Sequence, residues 1–278
     1  MIVDTNAYLG HFAFRQLRHN TPDALLELMD AKGIDRAMVS SADAVTYRNT
    51  QPANEELAAA TKPHRDRLIP FAVVNPFYAG WKDDLAICHD ELGVQGLRLY
   101  PKWHNYALSD QCCLDLIRQA TERGMPISIP IRVADYRQRS WLVDVPDVPL
   151  GEIIDLVKAC PEARFLLLNG AGYTGSPLGK PDSGLPANYW IEISRLSAVL
   201  ADEIGQLISR LGPERVVFGS GMPFKYPDPV LVKLEVLDAP PEVKEQIRGT
   251  NAAGLLQPLT PTRSASEGGE RQAKLANR

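Results

Sequence analysis

Cysteine, histidine, basic charge and long apolar runs are all in short supply in this chain, and each shortage removes a class of function. Four cysteines in 278 residues do not make a disulfide framework. Two of them, Cys112 and Cys113, are adjacent, which is poor geometry for a bridge or a metal site. Cys88, Cys112, Cys113 and Cys160 therefore read as small buried helix residues. A net charge of −4 and a pI near 5.8 argue against a nucleic-acid or anionic-membrane surface. No apolar run is long enough to span a bilayer. The chain opens in the strand-like Met1-Ile2-Val3-Asp4, with neither a basic segment nor an apolar signal core, so a cytoplasmic location is expected. No glycine-rich phosphate loop follows that first strand, which weighs against an open dinucleotide-binding sheet. None of the five histidines lies beyond His104.

What is present is a rhythm. With 45% hydrophobic residues the chain can bury a large core. Short β-branched or leucine-rich runs begin near Ile2, Arg36, Leu68, Val94, Pro126, Arg164, Tyr189 and Arg215, and helix-period segments or long excursions separate nearly all of them. Thr21-Pro22, then Leu25, Leu28 and Met29, then Gly33, reads as cap, first-turn proline, apolar stripe and terminating glycine. Ser109 to Gly124 reads the same way around Cys112, Cys113, Leu116, Ile117 and Ala120. Further stripes run through Leu150, Ile153, Ile154 and Val157 and through Ile204, Leu207, Ile208 and Leu211, and Asp228-Pro229 opens another helix. Eight such units predict an α/β fold, a distorted (β/α)8 TIM barrel over residues 1–256. The excursions 132–148 and 170–187 become long loops after the fifth and sixth strands, over the carboxyl ends where barrel sites form. Residues 257–278 have almost no apolar content and are expected to be a disordered tail.

Chemistry concentrates in Val94–Tyr106, VQGLRLYPKWHNY. Arg98 and Tyr100 share one face of a strand whose other face is Leu97 and Leu99, and Pro101 ends the ladder. A buried arginine is costly unless something pairs with it. Two readings stay open: Arg98 pairs with a structural carboxylate, or it faces an anionic ligand. Lys102, His104 and Tyr106 follow in the loop, and His104 can exchange protons near neutral pH. His19, His64 and His89 read as surface residues, and His11 as packing against Phe12 or Phe14.

Several segments, in order, resemble the amidohydrolase-related family, in particular its aminocarboxymuconate-semialdehyde-decarboxylase-like branch. Arg215-Val-Val-Phe-Gly-Ser-Gly-Met-Pro-Phe resembles the end of that family's last barrel strand, and Ile2 to Gly10 its opening D-x-H-x-H-x-G. Gly96 to Pro101, Gly124 to Ile127 and Ile247 to Leu256 resemble its fourth strand, fifth strand and terminal helix. The resemblance implies a TIM barrel whose relatives hold a divalent cation. Here, however, the family's first-strand histidines fall on Asn6 and Tyr8, the fifth-strand histidine near Pro130, the sixth on Asn169 and the last-strand aspartate on Gly221. Amide and phenol oxygens are poor substitutes for imidazole on such an ion, so neither a metal nor another cofactor is expected.

The mouth that remains is polar and largely cationic. Asn6, Tyr8, Arg98, Tyr100, Lys102, Arg132, Asn169 and Ser220 are the expected substrate-binding residues, and His104 and Asp4 the expected proton carriers. Asn75, Glu192, Ser194 and Arg195 complete the set. Arginine pairs well with carboxylate or phosphate, which predicts a pocket for a small anionic molecule. The competing reading is that Arg98 and Arg132 bond Asp4 and Glu192 in place of the lost cation. Ser220 lacks the turn of a nucleophile elbow and reads as structural. Two functions follow: a metal-independent hydrolase or lyase of a small carboxylate or lactone, or a non-catalytic barrel that binds an anion or a partner subunit, with self-association left open.

Overall fold

Runs buried on both faces are what a parallel sheet demands, and each of the predicted runs becomes a strand of one. The computed structural model describes residues 1–138 and 140–256; the expected tail, 257–278, lies outside them. Its strands are β1 (Val3–Leu9), β2 (Arg36–Ser41), β3 (Leu68–Val73), β4 (Gly96–Arg98), β5 (Ile127–Pro130), β6 (Phe165–Leu168), β7 (Tyr189–Glu192) and β8 (Val216–Val217), all parallel and paired in sequence order. Their starts fall within two residues of those expected. The seam between β8 and β1 is closed by Thr5 N–H on the Phe218 carbonyl (3.1 Å), Gly221 N–H on Asn6 (2.8 Å) and Tyr8 N–H on Met222 (2.9 Å). The result is a (β/α)8 TIM barrel.

Side chains alternate between the helical jacket and the barrel interior, as the two-residue strand period requires. Leu97, Leu99, Ile127, Ile129, Phe165 and Leu167 pack outward against the helices. Val3, Met38, Ile69, Phe71, Leu166, Leu168 and Val217 fill the lower interior, where Ala252 and Leu255 of the terminal helical segment plug the barrel. Above them lie Tyr8, Val73, Tyr100 and Phe224. In β1, Asp4 pairs with Ala37 but Ala7 with Val39, so one extra residue bulges at Thr5-Asn6.

The jacket comprises α1 (Pro22–Lys32), α2 (Gln51–Thr61), α3 (Trp81–Ala86), α4 (Gln111–Glu122), α5 (Leu150–Ala159), α6 (Glu203–Leu211) and α7 (Asp228–Val236). Thr21 caps α1, Pro22 opens it and Gly33 ends it at φ 65°, as read from the sequence. Helix α4 corrects its expected cap: it starts one residue late, with Asp110 at the cap position, and the Asp110 carboxylate accepts the Ala107 N–H at 2.8 Å instead of capping the helix. The cysteines are free; Cys88 and Cys113 are buried, while Cys112 and Cys160 are only partly so. No helix among the described residues is long and apolar enough to cross a membrane. After β5 the chain loops out through a short turn at Tyr136–Gln138; after β6 two such turns, Tyr173–Gly175 and Pro177–Gly179, stand where the other strands have a helix. Tyr189 pins that second excursion by donating its hydroxyl proton to Leu178 O at 2.9 Å.

Candidate functional site

Arg98 is fully buried inside the barrel; among the described residues it pairs with no carboxylate, and it does not line the large cavity described below. Its guanidinium donates to the carbonyls of Thr5 (3.0 Å), Ala7 (3.0 Å) and Met38 (3.4 Å) and to Ser128 Oγ (2.9 Å), with the Tyr8 ring 4.9 Å away. The β1 bulge explains this: where the register slips, the carbonyls of Thr5 and Ala7 take their protons from Arg98. Both readings of Arg98, acid partner and anion anchor, are thereby corrected. Beside it the Tyr100 hydroxyl meets Ser40 Oγ at 3.2 Å. Desolvation drives the Tyr8 and Tyr100 phenols further above their ordinary pKa, so both stay neutral.

Asp4 is as deeply buried. One carboxylate oxygen accepts the N–H groups of Asn6 (2.8 Å) and Ser220 (2.9 Å), and the other accepts the Ser220 hydroxyl at 2.5 Å. Burial pushes its pKa up to about 7 against those bonds. The Ser220 hydroxyl proton is committed to Asp4, consistent with a structural serine. His104 turns away, with Nε2 3.0 Å from the Ala44 carbonyl; burial lowers its pKa and keeps the ring neutral. Lys102 pairs with Glu152 at 2.6 Å on the rim. Asn75 donates to the Arg48 carbonyl at 3.0 Å.

The β6–β8 side of the mouth is different. Asn169, at a left-handed φ of 55°, donates from Nδ2 to the Arg132 carbonyl (3.0 Å), and its side-chain oxygen Oδ1 accepts Lys225 Nζ at 2.5 Å. Lys225 also donates to Ser194 Oγ at 3.2 Å. Glu192, fully buried at the tip of β7, accepts Asn169 N–H (2.8 Å), Ser194 Oγ (3.0 Å) and the Ser194 N–H. Arg195 donates to the Asn169 carbonyl at 3.1 Å, and Lys233 to the Ser194 carbonyl at 2.5 Å. Two glycines make room: a Cβ on Gly219 would lie 2.5 Å from Glu192 Cγ, and one on Gly221, at φ 79°, 3.1 Å from Lys225 Cδ. Desolvation raises the pKa of Glu192 and lowers those of Lys225 and Lys233.

This cluster floors a cavity of about 900 Å³ at the carboxyl ends of the strands. Among its lining residues Arg15, Arg18, Arg132, Arg137, Arg195, Lys225 and Lys233 are cationic, against one carboxylate, Asp135. Arg132 does not reach Glu192, correcting that pairing; it grips Asp147, with Nε 2.8 and 3.0 Å from the two oxygens. A family model described as amidohydrolase matches residues 10–257. The chain belongs to the amidohydrolase family. No curated protein sequence matches it. This amidohydrolase-family barrel is similar to solved structures of 5-carboxyvanillate decarboxylase from Sphingomonas paucimobilis (16% identity, 91% of this chain and 98% of that one, TM-score 0.70). It is also similar to 2,6-dihydroxybenzoate decarboxylase from Rhizobium (18%, 91% and 98%, TM-score 0.70) and 4-oxalomesaconate hydratase from Rhodopseudomonas palustris (18%, 92% and 95%, TM-score 0.64). At such identities the likeness establishes the fold.

The donor set of this amidohydrolase-family chain does not fit a divalent ion. No group of three or more His, Cys, Asp or Glu among the described residues is arranged to hold one. The Asn169 oxygen already accepts an ammonium, and a metal there would face that positive charge. Asn6 is buried with neither amide atom hydrogen-bonded. Of the expected binding residues, Arg132, Asn169 and Ser220 line the cavity. Asn6, Tyr8, Arg98, Tyr100, Lys102, His104 and Asp4 do not. The sequence reading missed Lys225, Lys233, Arg15 and Arg18. The signal for Lys225 was its place four residues beyond Gly221, in the loop leaving the strand that lost its acid.

Proposed function

We propose that this chain is a lyase or hydrolase of a small carboxylate and works without a divalent metal. The observation that carries the reading is the cavity above β6–β8, with seven cationic side chains and a single acid. Guanidinium and ammonium groups in a recessed site attract and orient carboxylates, and the similar structures named above are enzymes whose names denote carboxylate-bearing compounds. Arg132 and Arg195 anchor the substrate, Asn169 orients it, and the Lys225–Ser194–Glu192 chain moves protons. His104 and Asp4, which the sequence puts forward for that task, lie outside the cavity lining. That placement also favours a second reading, a non-catalytic barrel that binds the anion.

The test is a thermal-shift screen with aromatic carboxylates and dicarboxylates at matched ionic strength. Saturable stabilisation is expected, about 2.7 kcal/mol at a hundredfold excess over Kd, lost in Arg195→Ala. No response to any carboxylate overturns the proposal, and binding without turnover of any hit selects the second reading.

A further inference from the structure

We propose that Lys225 is an amine nucleophile that forms a Schiff base with a keto carboxylate held in the cavity. The inference rests on the carboxylate reading above and names the substrate class within it. Four observations converge. First, the Lys225 side chain is half-buried and lines the cavity floor. Second, its nitrogen makes no ion pair among the described residues; its bonds are to the neutral oxygens of Asn169 and Ser194. An ammonium whose task was to neutralise Glu192 would reach the carboxylate directly. Third, burial disfavours the charged amine most strongly, and the positive charges of Arg195 and Lys233 add to that, against Glu192 and Asp135, which favour the ammonium. Neighbouring cations and desolvation are the two conditions that favour a neutral, nucleophilic lysine. Fourth, Ser194 Oγ bridges Lys225 Nζ (3.2 Å) and Glu192 Oε2 (3.0 Å), giving the amine a route for its proton to a buried carboxylate. The same hydroxyl is 3.2 Å from the Asn169 oxygen, so it can turn its own proton either way.

The chemistry balances without an added oxidant or reductant. Proton transfer through Ser194 leaves the amine neutral, with the proton on Glu192. The nitrogen lone pair adds to the ketone carbon, forming the C–N bond; the ketone oxygen takes one proton from that nitrogen and one back from Glu192 through Ser194 and departs as water, leaving an iminium. Where the substrate carries a carboxylate β to that carbon, the C–C bond breaks, carbon dioxide leaves, and the bonding pair passes into an enamine. Protonation of the enamine carbon and hydrolysis by water release the shortened ketone and restore the lysine. Arg132 and Arg195 hold a second carboxylate or the ketone's anionic arm.

The experiment is reductive trapping on the full chain. Wild type is incubated with oxaloacetate or acetoacetate and cyanoborohydride, then mapped by peptide mass spectrometry. The expected result is a single adduct on Lys225, its mass that of the keto acid or its decarboxylated ketone, less water, plus two hydrogens. Lys225→Arg should lose the adduct and keep the carboxylate-induced thermal shift. Absence of the adduct, or modification of other lysines with Lys225 untouched, overturns the proposal, and because mapping is done on wild type, it does not depend on how the variant folds. An absent adduct with the thermal shift intact removes the Schiff base alone, whereas loss of both removes the carboxylate site as well.

Discussion

Arg98 and Lys225 are both cations sunk into the carboxyl half of one barrel, yet their surroundings differ in a way that separates structure from function. On the β1–β4 side every Arg98 nitrogen finds an oxygen of the protein, three of them backbone carbonyls beside a bulge. Asp4 is likewise surrounded, by two N–H groups and a hydroxyl. On the β6–β8 side Lys225, Arg195 and Lys233 make single or paired contacts and then open onto a cavity. A buried charge with all its hydrogen bonds closed internally is part of the framework. A cluster of like charges with donors left over is the feature on which the proposed anion site rests.

The sharpest way to break this comparison is to remove each cation in turn. Arg98→Met strands the carbonyls of Thr5 and Ala7 in a dry interior, and urea unfolding should lose about 3–5 kcal/mol. Lys225→Met should change stability by less than about 1 kcal/mol, since Lys225 donates only to the neutral oxygens of Asn169 and Ser194 at the wall of an open cavity. Equal losses in the two variants would erase the distinction. A smaller effect is expected from Asp4. Its folded pKa of about 7 lies above the ordinary 3.8, so the folded state holds a proton that the unfolded state has released. That contribution is complete below about pH 4 and fades as pH rises through 7, by a few kcal/mol at most. Asp4→Asn should flatten the pH–stability curve over that window, and an unchanged slope would show that Asp4 is ionised throughout. The smallest effect is the most diagnostic for the mouth. Prolonged EDTA treatment should leave the melting temperature and any activity unmoved, and stoichiometric zinc or manganese in the purified protein would contradict the reading.

Much of the fold was legible because its signals are local. Strand starts followed from buried apolar runs, and α1 followed from Thr21, Pro22 and Gly33 acting within a few residues of one another. The departures from the family's motif were legible because Asn6, Tyr8, Asn169 and Gly221 stand within or just beyond β1, β6 and β8. Arg98 was misread because its partners are backbone carbonyls exposed by a one-residue bulge, and a bulge leaves no mark in a hydrophobic pattern. Lys225 was missed for a related reason: its role depends on Asn169 and Ser194, which are 56 and 31 residues away in the chain. His104 drew notice as a histidine in a loop, but the Ala44 carbonyl that holds it comes from a different loop.

Gly221 sets a limit on anyone wishing to engineer a metal centre into this barrel. An aspartate installed there would have to adopt φ near 79°, with its Cβ 3.1 Å from Lys225 Cδ. The lysine stem would then have to give way by a few tenths of an ångström. Restoring one ligand at a time passes through strained intermediates, so a working graft has to exchange the lysine, the glycine and the strand-tip amides together.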